Sequence, residues 1–313
     1  MILVTGANGF VGTAVCVRLQ ETMPVRAAIR NAGTENQGHT AETVHLDLSL
    51  SGDYSQSLLS VTAVVHCAAR VHVMSDSATD PLAEFRRVNV QGMLNLARQA
   101  AAVGVRRFVF ISSIKVNGES TQAGASFKAD DTPAPTDAYG ISKMEAEQGL
   151  RELGQQTGME VVIVRPPLVY GPGVKANFAT MMRWLKRGIP LPLGAIHNQR
   201  SLVGLDNLVD LIITCITHPA AANQTFLVSD GEDVSTTELL HRMGKAMGCP
   251  ARLIPIPADV LRWAAGLVGK QGVAQRLSGS LQVDIEKTRR LLCWSPPFSL
   301  DEELKRATEG MRP

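Results

Sequence analysis

A strand that runs directly into three spaced glycines at the start of the chain constrains the fold more than any other feature. Residues 2–5 (ILVT) are apolar or β-branched, Gly6, Gly9 and Gly12 follow, and a helical segment (AVCVRLQ) comes next. In such a turn one glycine adopts a backbone angle that other residues avoid, one permits close approach to a pyrophosphate, and one lets the helix pack on the strand. Because the glycines lie between a strand and a helix, the pattern predicts a dinucleotide-binding βα unit.

The beginning of that helix is where the phosphates are expected to bind. The first N–H groups of a helix have no partner within it, and the positive end of the helix dipole attracts anions. An ordinary βα turn could contain the same glycines. Their position between a strand and a helix is what favours a dinucleotide-binding turn. The residues expected to contact the cofactor here are Gly6, Asn8, Gly9, Phe10, Val11 and Gly12.

Composition excludes several classes of protein. The 313 residues are 45% hydrophobic and 19% charged, and the net charge of +2 gives no reason to expect nucleic acid or a membrane surface as a partner. The five cysteines are far apart and form no C-x-x-C pair, so no metal site or disulfide is predicted, and a cytoplasmic location is expected. The first strand leaves no room for a signal peptide, and no apolar run is long enough to insert into a membrane. The apolar stretch 260–268 predicts a packed helix.

Strand-like and helix-like segments alternate through the first half of the chain, which is typical of a doubly wound parallel α/β sheet, the Rossmann fold. A helix is predicted over 82–102. Residues 1–167, with 200–229, are assigned to the nucleotide-binding domain. The glycine- and proline-rich segment 168–199 breaks the alternation and, with 230–313, is assigned to a smaller substrate-binding lobe. The other predicted strands are 25–29, 44–48, 62–69, 107–111, 161–164 and 225–229.

The ends of these strands suggest where the rest of the cofactor lies. Arg30 follows the second strand, and an arginine there suits the 2′-phosphate of NADP, whereas an acidic residue would suit NAD. A solvated loop arginine is the alternative. Asp47 follows the third strand, where it could meet the adenine amino group. Ala68 and Ala69 end the fourth strand with side chains small enough for the cofactor to pass close by.

Ser113, Tyr139 and Lys143 form a candidate catalytic set. Hydride transfer at an alcohol carbon needs a matching proton transfer at its oxygen, and therefore an acid/base group. A tyrosine titrates at about 10, and a lysine ammonium about 4 Å away could lower that value substantially. Tyr139 and Lys143 are four residues apart, so on a helix they share one face. Ser113 would hydrogen-bond the substrate oxygen. An exposed helix with an i,i+4 pair is the alternative.

These motifs resemble the extended short-chain dehydrogenases/reductases of the nucleotide-sugar epimerase and dehydratase group. The resemblance covers nearly the whole chain, and implies a Rossmann domain with a small carboxy-terminal lobe that binds a UDP-sugar. It also implies that Leu48 and Pro166 contact the cofactor and that the chain is a homodimer. The matching motifs are TGANGFVG, Asp47-Leu48, HCAA, the Asn89 helix, SSIKVNG, YGISK, RPPLVYGP and the run from Asp284 to Pro296.

The resemblance also suggests substrate contacts. Asn177 matches an asparagine that holds the nucleotide, Leu193 lies in the segment that meets the base, and Arg200 matches an arginine that reaches the diphosphate. Arg276 matches a second arginine that would bind the diphosphate, if a short gap is allowed in the match to the family pattern. Arginine suits this task because its planar fork pairs with phosphate oxygens. A surface salt bridge is the alternative for either arginine.

Three departures from the family pattern bear on the activity. Dehydratases carry an Asp-Glu pair where Ile114 and Lys115 stand here, so water elimination would lack its proton donor. Leu168 replaces an asparagine common in the epimerases, and Arg30 replaces an acidic residue. We therefore expect NADPH-dependent reduction of a UDP-4-keto-6-deoxy-N-acetylhexosamine. The alternative is a UDP-hexose or UDP-N-acetylhexosamine 4-epimerase with bound NAD; a catalytically inactive nucleotide sensor is disfavoured by the intact catalytic set.

Overall fold

The computed structural model describes residues 1–30, 41–49, 52–71, 80–122, 124–267 and 271–309. Seven strands form one parallel sheet in the order β3-β2-β1-β4-β5-β6-β9, and three form a second sheet in the order β10-β8-β7. The strands are β1 (Ile2–Thr5), β2 (Val25–Ile29), β3 (Glu42–His45), β4 (Ala63–His66), β5 (Arg107–Ile111), β6 (Glu160–Arg165), β7 (Leu168–Tyr170), β8 (Arg200–Gly204), β9 (Thr225–Leu227) and β10 (Asp233–Val234).

Helices cover both faces of the large sheet, which confirms the predicted doubly wound α/β fold. A π-helical stretch (Arg86–Gly92) joins two of them. The α-helices are α1 (Phe10–Leu19), α2 (Pro81–Phe85), α3 (Met93–Ala102), α4 (Ala138–Thr157), α5 (Ala176–Lys186), α6 (Leu205–Thr217), α7 (Thr236–Met247), α8 (Ala258–Leu267), α9 (Gln271–Ser278), α10 (Glu286–Leu292) and α11 (Leu300–Thr308).

The central strands β1, β2, β4, β5 and β6 contribute side chains to two cores, because successive side chains point to opposite faces. Val4 and Val65 pack on one face against α1 and α6. Leu3 and Val64 pack on the other face against α3 and α4. A third core lies around the second sheet, where Tyr170 packs with residues of α5, α7 and α11.

The strand order reverses between β1 and β4, so the carboxyl ends of these neighbouring strands border a crevice. Ligands of doubly wound sheets bind in such a crevice. The glycine turn follows β1, Ala68 and Ala69 follow β4, and Ser113 and Pro166 follow β5 and β6. The topology therefore brings the predicted cofactor and catalytic residues to one edge of the sheet.

Several predicted elements differ from those observed. The third strand is Glu42–His45 rather than 44–48, so Asp47 and Leu48 lie beyond its end. The helix predicted over 82–102 contains the π-helical stretch, which brings Gly92 so close to Leu48 that a Cβ there would lie 1.9 Å from the Leu48 carbonyl oxygen. The stretch 260–268 is helical as predicted up to Leu267, but the prediction that it is packed is wrong, because α8 exposes most of its side chains; residue 268 lies outside the described residues.

The second sheet includes β8, which lies in the segment 200–229 that was assigned to the nucleotide-binding domain. β8 pairs with β7 and β10, whereas α6 and β9, which follow it, pack on the large sheet. The assignment of 200–229 to the nucleotide-binding domain stays a prediction. No helix within the described ranges combines the length and the apolar character needed to cross a bilayer.

Candidate active site

The glycine turn is packed too tightly to hold side chains at two of its positions. Gly6 has a φ of +65°, and a Cβ there would lie 2.8 Å from the backbone N and Cα of Ala68. A Cβ on Gly12 would lie 2.1 Å from the Gly6 carbonyl oxygen. The Gly9 N–H donates to that same oxygen at 2.8 Å. The turn therefore lies directly against the end of β4, as a dinucleotide-binding turn requires.

The first turn of α1 offers backbone donors to a ligand. Gly9 is its N-cap and supplies no side-chain hydrogen bond, and no acidic side chain stands in the first turn. Asn8, Phe10 and Val11 are half-buried at this helix start. Because helix N-termini with a glycine cap bind phosphate readily, these residues fit the pyrophosphate of a nicotinamide dinucleotide.

The region predicted to bind the adenosine contains a cation beside an anion. The backbone N–H of Ser49 donates to Asp47 Oδ1 at 2.8 Å and lowers the pKa of that carboxyl, and the nearby charges of Arg30 and Arg87 lower it further. Arg30 is exposed at the end of β2, and Leu48 is buried. Arg30 and Asp47 follow the neighbouring strands β2 and β3, so their charges act on one another at this edge of the sheet.

Ser113, Tyr139 and Lys143 lie on two neighbouring elements. Ser113 follows β5, and its Oγ accepts a hydrogen bond from the Lys115 N–H at 3.3 Å. Tyr139 and Lys143 lie one turn apart on α4, which Asp137 caps by accepting the Gly140 N–H at 2.7 Å. Pro166 is buried beside them, and its carbonyl oxygen accepts the Ile114 N–H at 3.0 Å.

Lys143 is almost completely buried in a fixed position. Its ammonium donates to the Ile111 carbonyl oxygen at 2.8 Å and lies 4.4 Å from the centre of the Phe110 ring. Burial lowers the pKa of Lys143 to about 8, while Cys67 and the carboxylate of Glu147 act in the opposite direction. Because this pKa lies only about one unit above neutral pH, the lysine is still mostly protonated there.

The environment of Tyr139 differs from the sequence expectation. Its ring packs edge-on against Phe85 at 6.0 Å between ring centres. Burial raises the pKa of the Tyr139 phenol, and the charge of Asp137 raises it further. The expectation that Lys143 brings this pKa near neutrality is not met by the chain alone, because the cost of burying a phenolate dominates.

Asn89 supports the backbone of Tyr139 through the side chain of Ser142. Asn89 is buried in the π-helical stretch, and its Nδ2 donates to Ser142 Oγ at 3.1 Å. Ser142 Oγ in turn donates to the Tyr139 carbonyl oxygen at 2.8 Å. π-Helical turns often occur at functional sites. Asn89 therefore links the π-helical stretch to the backbone of Tyr139 through Ser142.

The sequence did not reveal a buried ion pair between Glu147, one turn after Lys143 on α4, and Arg165 of β6. Arg165 donates to both carboxylate oxygens of Glu147, at 2.9 and 2.6 Å, and Ser112 Oγ donates to Glu147 Oε1 at 2.6 Å. Arg165 also donates to Asn117 Oδ1 at 2.9 Å. The only sequence signal was the position of Glu147, one turn after Lys143 on the same helix face.

Of the four substrate residues that the family resemblance suggests, two can be placed fully. Leu193 is buried, and its carbonyl oxygen accepts from Thr237 Oγ1 at 2.6 Å. Arg200 donates to the Gly279 carbonyl oxygen at 3.2 Å, and burial lowers its pKa. Asn177 lies in the first turn of α5 and Arg276 lies on α9, but both side chains fall outside the described part of the structure.

Comparison with known proteins identifies the family. Residues 2–229 match the model of the NAD dependent epimerase/dehydratase family. The chain is 50% identical over 99% of its length to a UDP-glucose 4-epimerase of Vibrio cholerae, of which it covers 94%. It is 26% identical over 83% of its length to an N-acetyl-α-D-glucosaminyl-diphospho-undecaprenol 4-epimerase of Escherichia coli O157:H7, of which it covers 77%. The chain belongs to this family of NAD-dependent enzymes, which confirms the resemblance and the class of cofactor.

Solved structures agree on the fold. The UDP-glucose 4-epimerase of Thermotoga maritima, solved with UDP-glucose, superposes with a TM-score of 0.79 at 22% identity, covering 98% of this chain and 97% of that one. The Bordetella bronchiseptica enzyme WbmG, solved with NAD and UDP, superposes with a TM-score of 0.76 at 21% identity, covering 98% and 92%. These similarities support the same overall architecture across the whole chain.

Proposed function

We propose that this enzyme is a UDP-sugar 4-epimerase that keeps its NAD bound. The observation that carries the proposal is the 50% identity, over 99% of the chain, to the Vibrio cholerae UDP-glucose 4-epimerase. From the sequence alone, reduction of a 4-keto sugar is the expected activity and epimerisation is the alternative. The comparisons favour the epimerase, because such high identity over the full length includes the substrate-binding lobe as well as the nucleotide-binding turn.

The chain supplies the proton chemistry of this reaction. Tyr139 takes the proton of the sugar 4-hydroxyl and returns it, and Ser113 holds that oxygen by a hydrogen bond. Lys143, fixed by the Ile111 carbonyl, contributes a positive charge that stabilises the phenolate of Tyr139. When bound, NAD supplies the hydride acceptor and, in its oxidised form, a further positive charge.

The other predicted residues would hold the two ligands. Gly6, Gly9 and Gly12 fit the pyrophosphate of the cofactor, because the glycine turn packs closely against the end of β4. Arg200 would meet the diphosphate of the UDP-sugar, and Leu193 the base. Arg200 suits this role because it is a partly buried cation at the start of β8.

Reduction of a 4-keto sugar with NADPH remains a second candidate because of Arg30. Its guanidinium lies near enough to Asp47 to lower the pKa of that carboxyl, at the strand end that would face the adenosine ribose. A 2′-phosphate there would gain a cation as a partner. An epimerase that retains NAD has no need of this cation.

The nucleotide that copurifies with the protein and the product that it forms separate the two activities. The purified protein is denatured and the released nucleotide identified; separately, the native protein is incubated with UDP-glucose or UDP-N-acetylglucosamine and no added cofactor. We expect bound NAD and inversion at C4. Tyr139→Phe should keep the bound nucleotide and lose about 10²- to 10⁴-fold in turnover. Oxidation of NADPH by a UDP-4-keto-6-deoxy-N-acetylhexosamine, without inversion of either sugar, would favour the reductase instead.

A further inference from the structure

The charges of this chain are distributed very unevenly. Residues 171–200 and 244–283 contain ten lysines and arginines and one acidic residue, Asp259. Subtracting these from the 31 basic and 29 acidic residues of the whole chain leaves 21 basic and 28 acidic residues elsewhere. The small net charge therefore conceals a strongly basic region on an otherwise acidic molecule.

Exposed apolar side chains concentrate in the same two segments. We call the surface that they form with the exposed cations the basic apolar face. Its exposed cations are Arg183, Lys186, Arg187, Arg252 and Arg262. Its exposed large apolar side chains are Trp184, Ile189, Ile254, Val260, Trp263 and Leu267, six of the ten found in the described residues. Exposed apolar clusters of this kind usually mark a binding surface.

Backbone hydrogen bonds join the parts of this face into one surface. Leu191 donates to the Arg252 carbonyl oxygen at 2.9 Å, and Ile254 donates to the Leu191 carbonyl oxygen at 2.8 Å. Ile189 donates to the Trp184 carbonyl oxygen at 3.2 Å, which connects this pair of segments to the end of α5. α8 begins at Ala258, four residues after Ile254, so the face extends from α5 to α8.

α8 contributes the most exposed part of the face. Val260, Trp263 and Leu267 are 50%, 69% and 71% exposed, and their i, i+3, i+7 spacing puts them on one side of the helix. Ala258 and Leu261 pack against the core of the second sheet and fix the helix in place. Arg262 lies beside Trp263 on the exposed surface and pairs with Asp259.

We propose that the basic apolar face binds the surface of an anionic lipid bilayer. Tryptophan and leucine on one side of a helix, with arginine and lysine around them, are typical of helices that lie in the membrane interface. The acidic remainder of the chain would turn away from an anionic surface, which orients the face toward it. A second copy is disfavoured as the occupant, because two such faces would bring like charges together. A UDP-sugar needs cations but no exposed tryptophan.

Cosedimentation of the full-length protein with vesicles tests this proposal. Vesicles that contain phosphatidylglycerol should bind the protein at low salt, and vesicles of phosphatidylcholine alone should not. Trp263→Ser combined with Leu267→Ser should lower the partition coefficient by about tenfold or more. Lys186→Gln and Arg252→Gln should each lower it by about fivefold.

Two exposed apolar side chains outside the basic apolar face provide matched control variants. Leu59 is 55% exposed and Val103 is 48% exposed, and neither belongs to the face. Leu59→Ser with Val103→Ser should leave vesicle binding unchanged, and circular dichroism should show that both double variants stay folded. The proposal is overturned if both vesicle types bind equally, if neither binds, or if the control variants lose as much binding. It is also overturned if Trp263→Ser with Leu267→Ser splits an oligomer while the wild type ignores vesicles.

Discussion

Asp137 combines a structural and an electrostatic role at the start of α4. Its carboxylate caps the helix through the Gly140 N–H, pairs with Lys115, and raises the pKa of Tyr139 by its charge. The spacing of Tyr139 and Lys143 on one helix face could be predicted from the sequence. The influence of Asp137 could not, because it depends on how deeply the phenol is buried.

Asp137→Asn should therefore make the Tyr139 phenol more acidic. Asparagine caps helices as well as aspartate does, so the start of α4 should be preserved while the negative charge is removed. We expect the limb of the pH–rate profile that reports ionisation of Tyr139 to move to lower pH, by up to about one unit. Lys115→Gln, which leaves the charge of Asp137 uncompensated, should move the same limb to higher pH. Shifts opposite to these would show that Asp137 does not act on Tyr139 electrostatically.

At the scale of elements, the pair of Glu147 and Arg165 ties α4 to the end of β6. Both side chains are buried, and Ser112 joins β5 to the same carboxylate. The sequence predicted β5 and β6 closely, because 108–111 and 161–164 are uninterrupted apolar runs. It could not predict the pairing, because the ionic partners lie 18 residues apart and meet only when α4 packs on the sheet.

Glu147→Gln should destabilise the fold by about 3–5 kcal/mol, because it leaves the buried Arg165 guanidinium without its counter-charge. Glu147→Met combined with Arg165→Met should cost less than the single Glu147→Gln change, because no buried charge then remains. Urea denaturation of the three proteins measures these differences. Arg18→Gln is a suitable control because it removes an exposed ion pair, with Glu21, that is worth about 1 kcal/mol or less. Equal losses of unfolding free energy for Arg18→Gln and Glu147→Gln would mean that breaking the buried pair is no more destabilising than breaking an exposed one.

At the scale of the whole molecule, a buried carboxyl joins α11, near the end of the chain, to the first turn of α6. Glu303 Oε1 accepts the Asn207 N–H at 3.1 Å, and the described residues offer Oε2 no hydrogen-bond partner. Burial, with Asp206 and Asp230 nearby, raises the pKa of Glu303 to about 7. Ser299 and Glu302 form a capping box at the start of this helix, a pattern that can be recognised from residue types alone, whereas nothing in the sequence distinguishes Glu303, one residue later, from an exposed charge.

Glu303 should make the protein less stable as the pH rises from about 4.5 to about 7. The folded state keeps this proton up to about pH 7, whereas an unfolded glutamate releases it near 4.5. The stabilisation is thus fully present below 4.5 and is lost through that interval, by at most about 1.4 kcal/mol per pH unit for one proton. Glu303→Gln cannot titrate, so its unfolding free energy relative to wild type should rise with pH over this interval. A difference that is independent of pH would contradict this assignment.

The fate of a deuterium label at C4 tests the central claim of NAD-retaining epimerisation most directly. A UDP-sugar that carries deuterium at C4 is incubated with the purified enzyme and no added cofactor, and the product is examined by NMR. Retention of the label in the C4-inverted sugar is the expected result, because the hydride removed from C4 returns to the same carbon. Absence of inversion, or a C4-inverted product that has lost the label, would contradict the claim.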